Sequence, residues 1–246
     1  MLQQSTNGNN TASNADSGAR DPRLAGSVIA TLPLFRDVAR SSMAPVVAQA
    51  SVRYARRGAT IARKGERLPG VLAFAYGLAK LALPHNRGEE KVLRFVGANE
   101  CFGEAAVLLD RPCPVEVVAL ADSMMAVIPA RALQKLLGAD LAFANNVAKI
   151  LAGGLLGLVE ELDVSTGRSS AQRLAGYLNS LADSGDGAEP CAVVLPATKT
   201  AVAARLGITK ETMSRLLREM KDLGVIEVAR CRITILDRER LAGIAG

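Results

Sequence analysis

The sequence has little histidine and cysteine, and this shortage limits the chemistry open to it. Among 246 residues there is one histidine, His85, and there are four cysteines, Cys101, Cys113, Cys191 and Cys231. No two cysteines form a CxxC pair, so neither a zinc site nor a dense disulfide framework is indicated, and we expect reduced thiols, as in a cytosol. With no plausible catalytic triad, metal cluster or phosphate-binding loop, an enzyme is the weakest functional class.

Long hydrophobic runs are also lacking. The apolar stretches, of which the longest lies around Ile150 to Val159, are broken by charge before they reach the ~20 residues of a membrane span. Residues 1–22 are rich in Gln, Asn, Ser, Thr and Gly without the cationic-then-apolar order of a signal peptide, so we expect a disordered tail. These absences predict a cytoplasmic protein with no membrane partner.

Size and charge point to two domains and to a polyanionic partner. A chain of 246 residues with 49% hydrophobic residues is longer than one small core needs. The formal net charge of +6 favours nucleic acid over an acidic protein as a partner. A modest excess of arginine is also ordinary solubilising surface, so charge alone does not decide.

The first half of the chain has the texture of an antiparallel β domain. Short helical patterns interrupted by Pro33 and Pro45 run from about Leu24 to Val47. After them come short apolar runs separated by turn clusters: Thr60–Ala62, Gly70–Ala75, Leu78–Leu83, Lys91–Val96, Val115–Ala119 and Met124–Ile128. Many short strands at this spacing predict a sandwich or barrel, which we place in residues 23–138.

A long helix is predicted next, over residues 139–166. Pro129 suits the start and Gly138 the end of a preceding short helix, and Asp140 can cap the long one. Steps of four and three residues then join Ala144, Ala148, Leu151, Leu155, Leu158 and Leu162. Almost three heptads of such a seam predict a dimerisation helix, while the alternative is a core helix that packs on its own domain.

Three glycines interrupt this helix. Gly153, Gly154 and Gly157 each cost up to about 1 kcal/mol relative to alanine, so they need a reason. Close approach of another backbone is one reason, and a flexible segment that transmits a signal is the other. The sequence does not favour either.

Residues 167–246 carry the pattern of a helix-turn-helix. A capping box formed by Ser169 and Gln172 opens a helix to about Ala182. Farther on, Thr198 can cap a second helix, Gly207 ends it, and Thr209 caps a third helix only two residues later. This spacing is that of a helix-turn-helix, in which the last of these helices reads DNA.

The third helix has one apolar and one polar face. Its predicted buried residues are Met213, Leu216, Leu217, Met220 and Leu223. Its polar residues suit base edges, because arginine pairs with the acceptors of guanine and glutamate accepts from cytosine N4.

After Gly224, the runs Val225–Val228 and Arg232–Leu236 predict a hairpin, the wing. We predict the DNA contacts to be Thr198, Lys199, Thr209, Lys210, Glu211, Ser214, Arg215, Arg218 and Arg232. The charged face alone would also suit a solvated amphipathic helix, but the turn spacing and the hairpin argue against that.

The order of parts resembles the Crp/Fnr superfamily of bacterial regulators. The resemblance spans about Leu24 to Leu241 and is most specific at Phe102-Gly103-Glu104, Gly207 to Leu217 and Ile233 to Asp237. It implies an α+β protein with a cyclic-nucleotide-binding-type jelly roll, a homodimer through the long helix, and a winged helix-turn-helix on a palindromic operator. RNA polymerase is an implied partner.

The resemblance is nearer to the Fnr-like and nitric-oxide-responsive branch than to the cAMP receptors. In family members the recognition helix reads bases with a Glu and with an Arg four residues later, which are Glu211 and Arg215 here. The Glu-x-x-Ser-Arg pattern, which includes Ser214, implies an operator resembling TTGAT paired with ATCAA.

The resemblance places an effector pocket at Phe102, Gly103, Glu104, Arg111 and Cys113. Cyclic-nucleotide binders of the family follow the Phe-Gly-Glu element with an Arg and then Ser or Thr, since a cyclic phosphate needs a bidentate cation and a hydroxyl. This chain has Cys113-Pro114 there, and Arg111 sits three positions early, so we expect no cAMP site.

An iron–sulfur cluster and a haem are not equally compatible with the sequence. No cysteine precedes Cys101, so an iron–sulfur cluster of the family's N-terminal type lacks ligands. Haem stays an alternative, with His85, Cys101 and Cys113 as candidate ligands, although a solvated turn histidine and inert thiols explain these residues as well. A small-molecule or gas effector is therefore expected without being identified.

A second functional class is an interaction module. In that case the cyclic-nucleotide-type domain acts on a partner protein such as a kinase or a channel, and the C-terminal domain makes protein contacts. The polar face around Arg215 separates the two classes, because only a DNA reader needs it for affinity.

Overall fold

Two helices and a short 3₁₀ turn cover one side of the first domain. The computed structural model describes residues 21–84, 90–183 and 191–246, with the side chains of residues 160–166 left aside. Helix α1 (Pro22–Thr31) is followed by the 3₁₀ turn Pro33–Phe35 and by α2 (Arg40–Gln49). The predicted interruption at Pro33 is correct, but Pro45 lies inside α2, so a break there was wrong. The helix continues past the missing N–H because the next residue, Val46, is anchored in the hydrophobic core.

Eight strands then form two four-stranded antiparallel sheets. They are β1 (Ser51–Ala55), β2 (Thr60–Ala62), β3 (Gly70–Tyr76), β4 (Leu78–Pro84), β5 (Glu90–Gly97), β6 (Cys101–Phe102), β7 (Glu116–Ala119) and β8 (Ser123–Pro129). Their orders are β1-β8-β3-β6 and β2-β7-β4-β5. One hydrophobic cluster takes residues from both sheets, Phe74 and Met125 from the first and Val96 and Val117 from the second. The two sheets therefore pack face to face, which confirms the predicted jelly-roll class.

One helix lies between two strands of the first domain, and two more helices follow its last strand. Helix α3 (Glu104–Leu108) connects β6 to β7, and α4 (Ala130–Ala139) and α5 (Leu141–Gly167) follow β8. Asp140 caps α5 as predicted, since its carboxylate accepts a hydrogen bond from Phe143 N at 3.0 Å. The sequence analysis expected Gly138 to end α4, and this was wrong. The helix runs on to Ala139, and Asp140 N still donates to Leu136 O.

The last part of the chain is a winged helix with its own core. It contains α6 (Ser170–Asp183), β9 (Cys191–Val194), α7 (Lys199–Leu206), α8 (Lys210–Asp222), β10 (Ile226–Ala229), β11 (Arg232–Ile235) and α9 (Arg238–Ala245). The predicted capping box opens α6: Ser169 N donates to Gln172 Oε1 at 2.8 Å, and Gln172 N donates to Ser169 Oγ at 3.2 Å. Strand β9 extends the wing hairpin to three strands, in the order β10-β11-β9.

Candidate nucleic-acid interface and sensor site

The turn between α7 and α8 is fixed by the caps that its sequence supplies. Thr198 Oγ1 accepts from Ala201 N at 3.3 Å, and Thr209 Oγ1 accepts from Thr212 N at 3.1 Å. Gly207 ends α7 in the left-handed conformation, at φ +63°, which costs glycine little. The two helices are thereby held as a helix-turn-helix.

Helix α8 presents one face to the core and the other to solvent. Met213, Leu216, Leu217 and Met220 are buried in the winged-helix core. Leu223 is 55% exposed, so its predicted burial was wrong. The reason is that α8 ends at Asp222 and the chain turns away through Gly224, which has φ +70°.

The exposed face of α8 carries the predicted base-reading residues. Lys210, Glu211, Ser214, Arg215 and Arg218 are all exposed. The predicted DNA contacts Thr198, Thr209 and Arg232 are exposed as well, and Lys199 is half-buried.

An ion pair that the sequence analysis did not single out orients the central arginine. Arg215 Nη1 donates to Glu219 Oε1 at 2.7 Å, one turn farther along α8. The i,i+4 spacing of opposite charges was the signal available for it. A preoriented guanidinium loses less freedom when it binds a base.

The wing and the end of α8 are tied to the rest of the domain. Leu195 N donates to Cys231 O at 2.9 Å, which holds the hairpin turn, where Arg230 has φ +56°. Arg240 Nη1 donates to Leu223 O at 3.1 Å and so satisfies a carbonyl at the end of α8. The first bond thus ties the wing turn to the segment after β9, and the second ties the end of α8 to α9.

The predicted dimer seam lies on an exposed face of α5. Ala148, Leu151, Leu155 and Leu158 are exposed, and Leu162 falls outside the described side chains. A different face packs on the first domain, since Phe143 and Val147 belong to its core and Ile150 packs against it. The core-helix alternative thus describes one face of the first half of α5 and leaves the seam unexplained.

The glycines of α5 have no close neighbour among the residues that the structure describes. A Cβ built at Gly153, Gly154 or Gly157 would meet nothing within 4 Å among the described residues. Close approach of another described segment of this chain is therefore not the reason for them.

The apolar surface of α5 also meets the length and composition criteria for a membrane span. Leu141–Val159 is long and apolar enough to meet them, with 11% of its most apolar window buried. A charge interrupts this stretch, as the sequence analysis stated, but does not take it outside those criteria. Lys149 is the one charged residue in this segment. Such a helix alone is weak evidence of a membrane, and here Asn146 Nδ2 donates to Leu34 O at 3.3 Å and to Arg36 O at 2.7 Å. These bonds attach α5 to the first domain.

Two of the predicted pocket residues build a turn next to the core. Phe102 is buried and stacks obliquely on Phe74, with ring centroids 6.4 Å apart. Gly103 has φ +95°, and a Cβ there would lie 2.6 Å from Leu68 Cδ1, so this position requires glycine.

The Glu104 carboxylate accepts a hydrogen bond from a cysteine thiol of its own chain. The Cys101 thiol donates to Glu104 Oε1 at 2.9 Å. Burial, and then the negative Glu104, raise the pKa of the Cys101 thiol far above its ordinary value, so the thiol stays protonated. In this structure the Cys101 thiol is thus protonated and bonded to Glu104, which is a different state from the free thiolate considered as a haem ligand.

The residues near Cys113 do not supply a phosphate site. Cys113 is buried, its thiol donates to Val115 O at 3.3 Å, and its N–H donates to Glu66 O at 2.7 Å. Arg111 is exposed. Among the described residues no group of three or more His, Cys, Asp or Glu side chains could hold a metal ion. His85 lies outside the described residues.

Sequence analysis missed one arginine beside the pocket element. Arg94 Nη2, on β5, donates to Cys101 O at 2.7 Å. This contact joins residues on different strands, so no local sequence pattern predicts it.

Comparison with known proteins gives similarities to both domains. A family model of a Crp-like helix-turn-helix domain matches residues 172–244, and one of a cyclic nucleotide-binding domain matches residues 52–140. The fumarate and nitrate reduction regulatory protein of Vibrio cholerae is 27% identical over 192 residues, which cover 77% of this chain and 76% of that protein.

Solved structures share the fold. FixK2 from Bradyrhizobium japonicum matches with a TM-score of 0.70 at 19% identity, over 80% of this chain and 98% of that one. A CRP/FNR-family transcriptional regulator from Thermus thermophilus matches with a TM-score of 0.62 at 23% identity, over 79% of this chain and 97% of that one. The arrangement of a sheet domain, a long helix and a winged helix is thus shared with regulators.

Proposed function

Since the chain belongs to the Crp/Fnr superfamily of transcription regulators, we propose that it binds a palindromic, TTGAT-like operator as a homodimer under the control of an effector at its first domain. On such an operator RNA polymerase is the expected protein partner. The domains we assign are the sensor (23–138), the dimerisation helix (139–166) and the reader (167–246).

The observation that carries this proposal is the exposed polar face of α8. Arg215 suits the O6 and N7 acceptors of guanine, and Glu211 suits cytosine N4. Ser214 lies between them and tolerates either kind of partner, and Lys210 stands at the helix N terminus, which is the end that enters the major groove. Arg218 lies on the same exposed face of α8 and has the same chemistry toward guanine as Arg215. The predicted contacts outside this face suit phosphates, which position the protein without reading sequence: Thr198, Lys199, Thr209 and Arg232.

The exposed seam of α5 supports a homodimer. A row of leucines open to water on a helix of 27 residues is expected to be covered, and a second copy of the same helix supplies an equally apolar row. A twofold dimer places two α8 helices in successive major grooves when they lie about 34 Å apart.

The effector is not a cyclic nucleotide of the usual kind in this proposal. Glu104 already accepts a hydrogen bond from Cys101, and the described residues near it provide no Arg-then-hydroxyl pair for a cyclic phosphate. The sensor keeps the jelly roll and has lost that ligand chemistry, so we expect a different small molecule or gas.

Selection of binding sites from a random DNA library tests the proposal. We expect the purified full-length protein to enrich duplexes with an inverted repeat resembling TTGAT and ATCAA, with half-site centres about one helical turn apart. Enrichment of no sequence, with and without a lysate-derived small-molecule fraction, would favour the protein-interaction module instead. Enrichment of single, unpaired half-sites would contradict the dimeric reading geometry.

A further inference from the structure

Of the four exposed cations of α8, one forms an ion pair with a carboxylate among the residues that the structure describes. Arg215 Nη1 donates to Glu219 Oε1 at 2.7 Å, whereas Lys210, Arg218 and Lys221 form no ion pair with the described residues. The positive charge of α8 is therefore neutralised at the side chain assigned to guanine and remains free elsewhere on the same face.

Stability does not account for this pair. The side chains of Arg215 and Glu219 are 62% and 51% exposed, and ion pairs in such surroundings contribute little to folding. A helix also favours the order in which the acid precedes the base by four residues, which Glu211 offers to Arg215. The structure pairs Arg215 with Glu219 instead, and the Glu211 carboxylate stays available for cytosine.

The pair changes which DNA groups suit Arg215. A guanidinium carries five N–H donors, and the bond to Glu219 uses one of those on Nη1, so the edge formed by Nε and Nη2 can still donate to guanine O6 and N7. A phosphate attracts arginine mostly through net charge, which the neighbouring carboxylate cancels. The paired arginine keeps its donors for a base and loses its attraction for the backbone.

The place of Glu219 along α8 adds to this effect. The N-terminal end of a recognition helix enters the major groove. Glu219 lies one turn from Arg215 toward the other end, about 6 Å along the axis, and so on the side of the groove mouth, where phosphates line the groove. On an operator its negative charge would stand between Arg215 and the backbone.

We propose that Glu219 is a positioning residue that determines specificity, because it holds Arg215 for guanine and keeps it from phosphates. This inference rests on the proposed function, in which the single G·C pair of each TTGAT half-site is the pair that suits Arg215 and Glu211. Loss of the Glu219 charge should then raise affinity for DNA of any sequence and lower the preference for that G·C pair.

Two duplexes that differ only at this base pair test the proposal. Both are fluorescein-labelled inverted repeats, one with TTGAT and ATCAA half-sites and one with TTAAT and ATTAA, titrated with full-length protein by fluorescence anisotropy. Glu219→Gln removes the charge and keeps the shape of the side chain. We expect its affinity for the TTAAT duplex to rise about threefold and its preference for TTGAT to fall about tenfold, within the range of one arginine contact per half-site.

Salt dependence gives a second readout, which a merely structural role would not change. If Arg215 of the variant binds a phosphate, log K for the TTAAT duplex should fall more steeply with log salt concentration, by about one for each subunit. In an Arg215→Ala background, Glu219→Gln should alter neither the preference nor this slope, because the effect passes through Arg215.

Asp222→Asn is the matched control. It removes the same charge from an exposed side chain of α8, three residues beyond Glu219, and should keep the wild-type preference and slope. Wild-type preference and slope in Glu219→Gln would overturn the proposal, and so would an equal loss of affinity for both duplexes or the same loss of preference in Asp222→Asn. Absence of any preference in wild type would instead count against the proposed function.

Discussion

At the scale of single residues, two glycines with positive φ show how much of the sensor depends on close packing. Gly77 has φ +97° and connects β3 to β4, and Gly58 has φ +85°. A Cβ at Gly77 would lie 2.1 Å from the buried Ser123 Oγ, while one at Gly58 would meet nothing within 4 Å. Backbone strain is thus common to both positions, and the clash belongs to Gly77 alone.

Replacement of each glycine by alanine should therefore separate the two effects. We expect Gly58→Ala to cost about 1 kcal/mol of unfolding free energy, from the left-handed backbone. Gly77→Ala should cost about 2–3 kcal/mol more, because Ser123 must move and its hydrogen bond to Ala121 O at 2.8 Å is disturbed. Urea unfolding of both variants measures the difference, and equal losses would show that Ser123 yields freely.

The individual residues of the reader were well predicted because their signals are local. Thr198, Gly207 and Thr209 are three caps within twelve residues, and each does what its type suggests. The link from Arg94 to Cys101 and the packing of Phe95, on β5, against the winged-helix core were not predictable in this way, since they join parts of the chain that only the fold brings together. Leu223 was misjudged because periodicity alone does not tell where a helix ends.

At the scale of elements, the exposed seam of α5 is the proposed dimer interface. Leu155 and Leu156 are adjacent and each is 64% exposed, but only Leu155 lies on the predicted seam. A partner helix should cover Leu155 and leave Leu156 at the margin. These two positions are therefore matched in residue type, exposure and place in the helix.

Aspartate at each of these two positions tests the seam. We expect Leu155→Asp to convert the dimer to monomers, because two carboxylates would face each other in an apolar interface. Leu156→Asp should leave a dimer at the same micromolar concentration. Sedimentation equilibrium distinguishes them, and dissociation by Leu156→Asp alone would place the interface on another face of α5.

Strands that are apolar runs between turn residues were predicted, and three other strands were not. The strands from β2 to β5 were found within two residues of their ends, because each is an apolar run bounded by turn residues. Strands β1, β6 and β9 were missed. Strand β6 has only two residues, and β1 carries a polar Arg53 within its alternation. Such strands form because their neighbours in the sheet are in place.

At the scale of the whole molecule, the proposed function joins a jelly-roll sensor, a dimerisation helix and a DNA reader in one regulator. The first domain has the nucleotide-binding fold, its described residues show no Arg-then-hydroxyl pair for a cyclic phosphate, and α8 exposes side chains that suit bases. The net charge of +6 assists approach to DNA but carries no sequence information. In the proposed function, sequence recognition therefore depends on the exposed face of α8, and above all on Arg215.

The most direct test is operator binding by Arg215→Ala, with Lys221→Ala as control. Lys221 is also exposed and basic and lies in the last turn of α8, away from the end that enters the groove. On the TTGAT duplex at fixed salt, we expect Arg215→Ala to lose about 1–3 kcal/mol per half-site and to bind a scrambled duplex almost equally well, while Lys221→Ala keeps its preference. Wild-type affinity and preference in Arg215→Ala would contradict the assignment of α8 as the DNA reader.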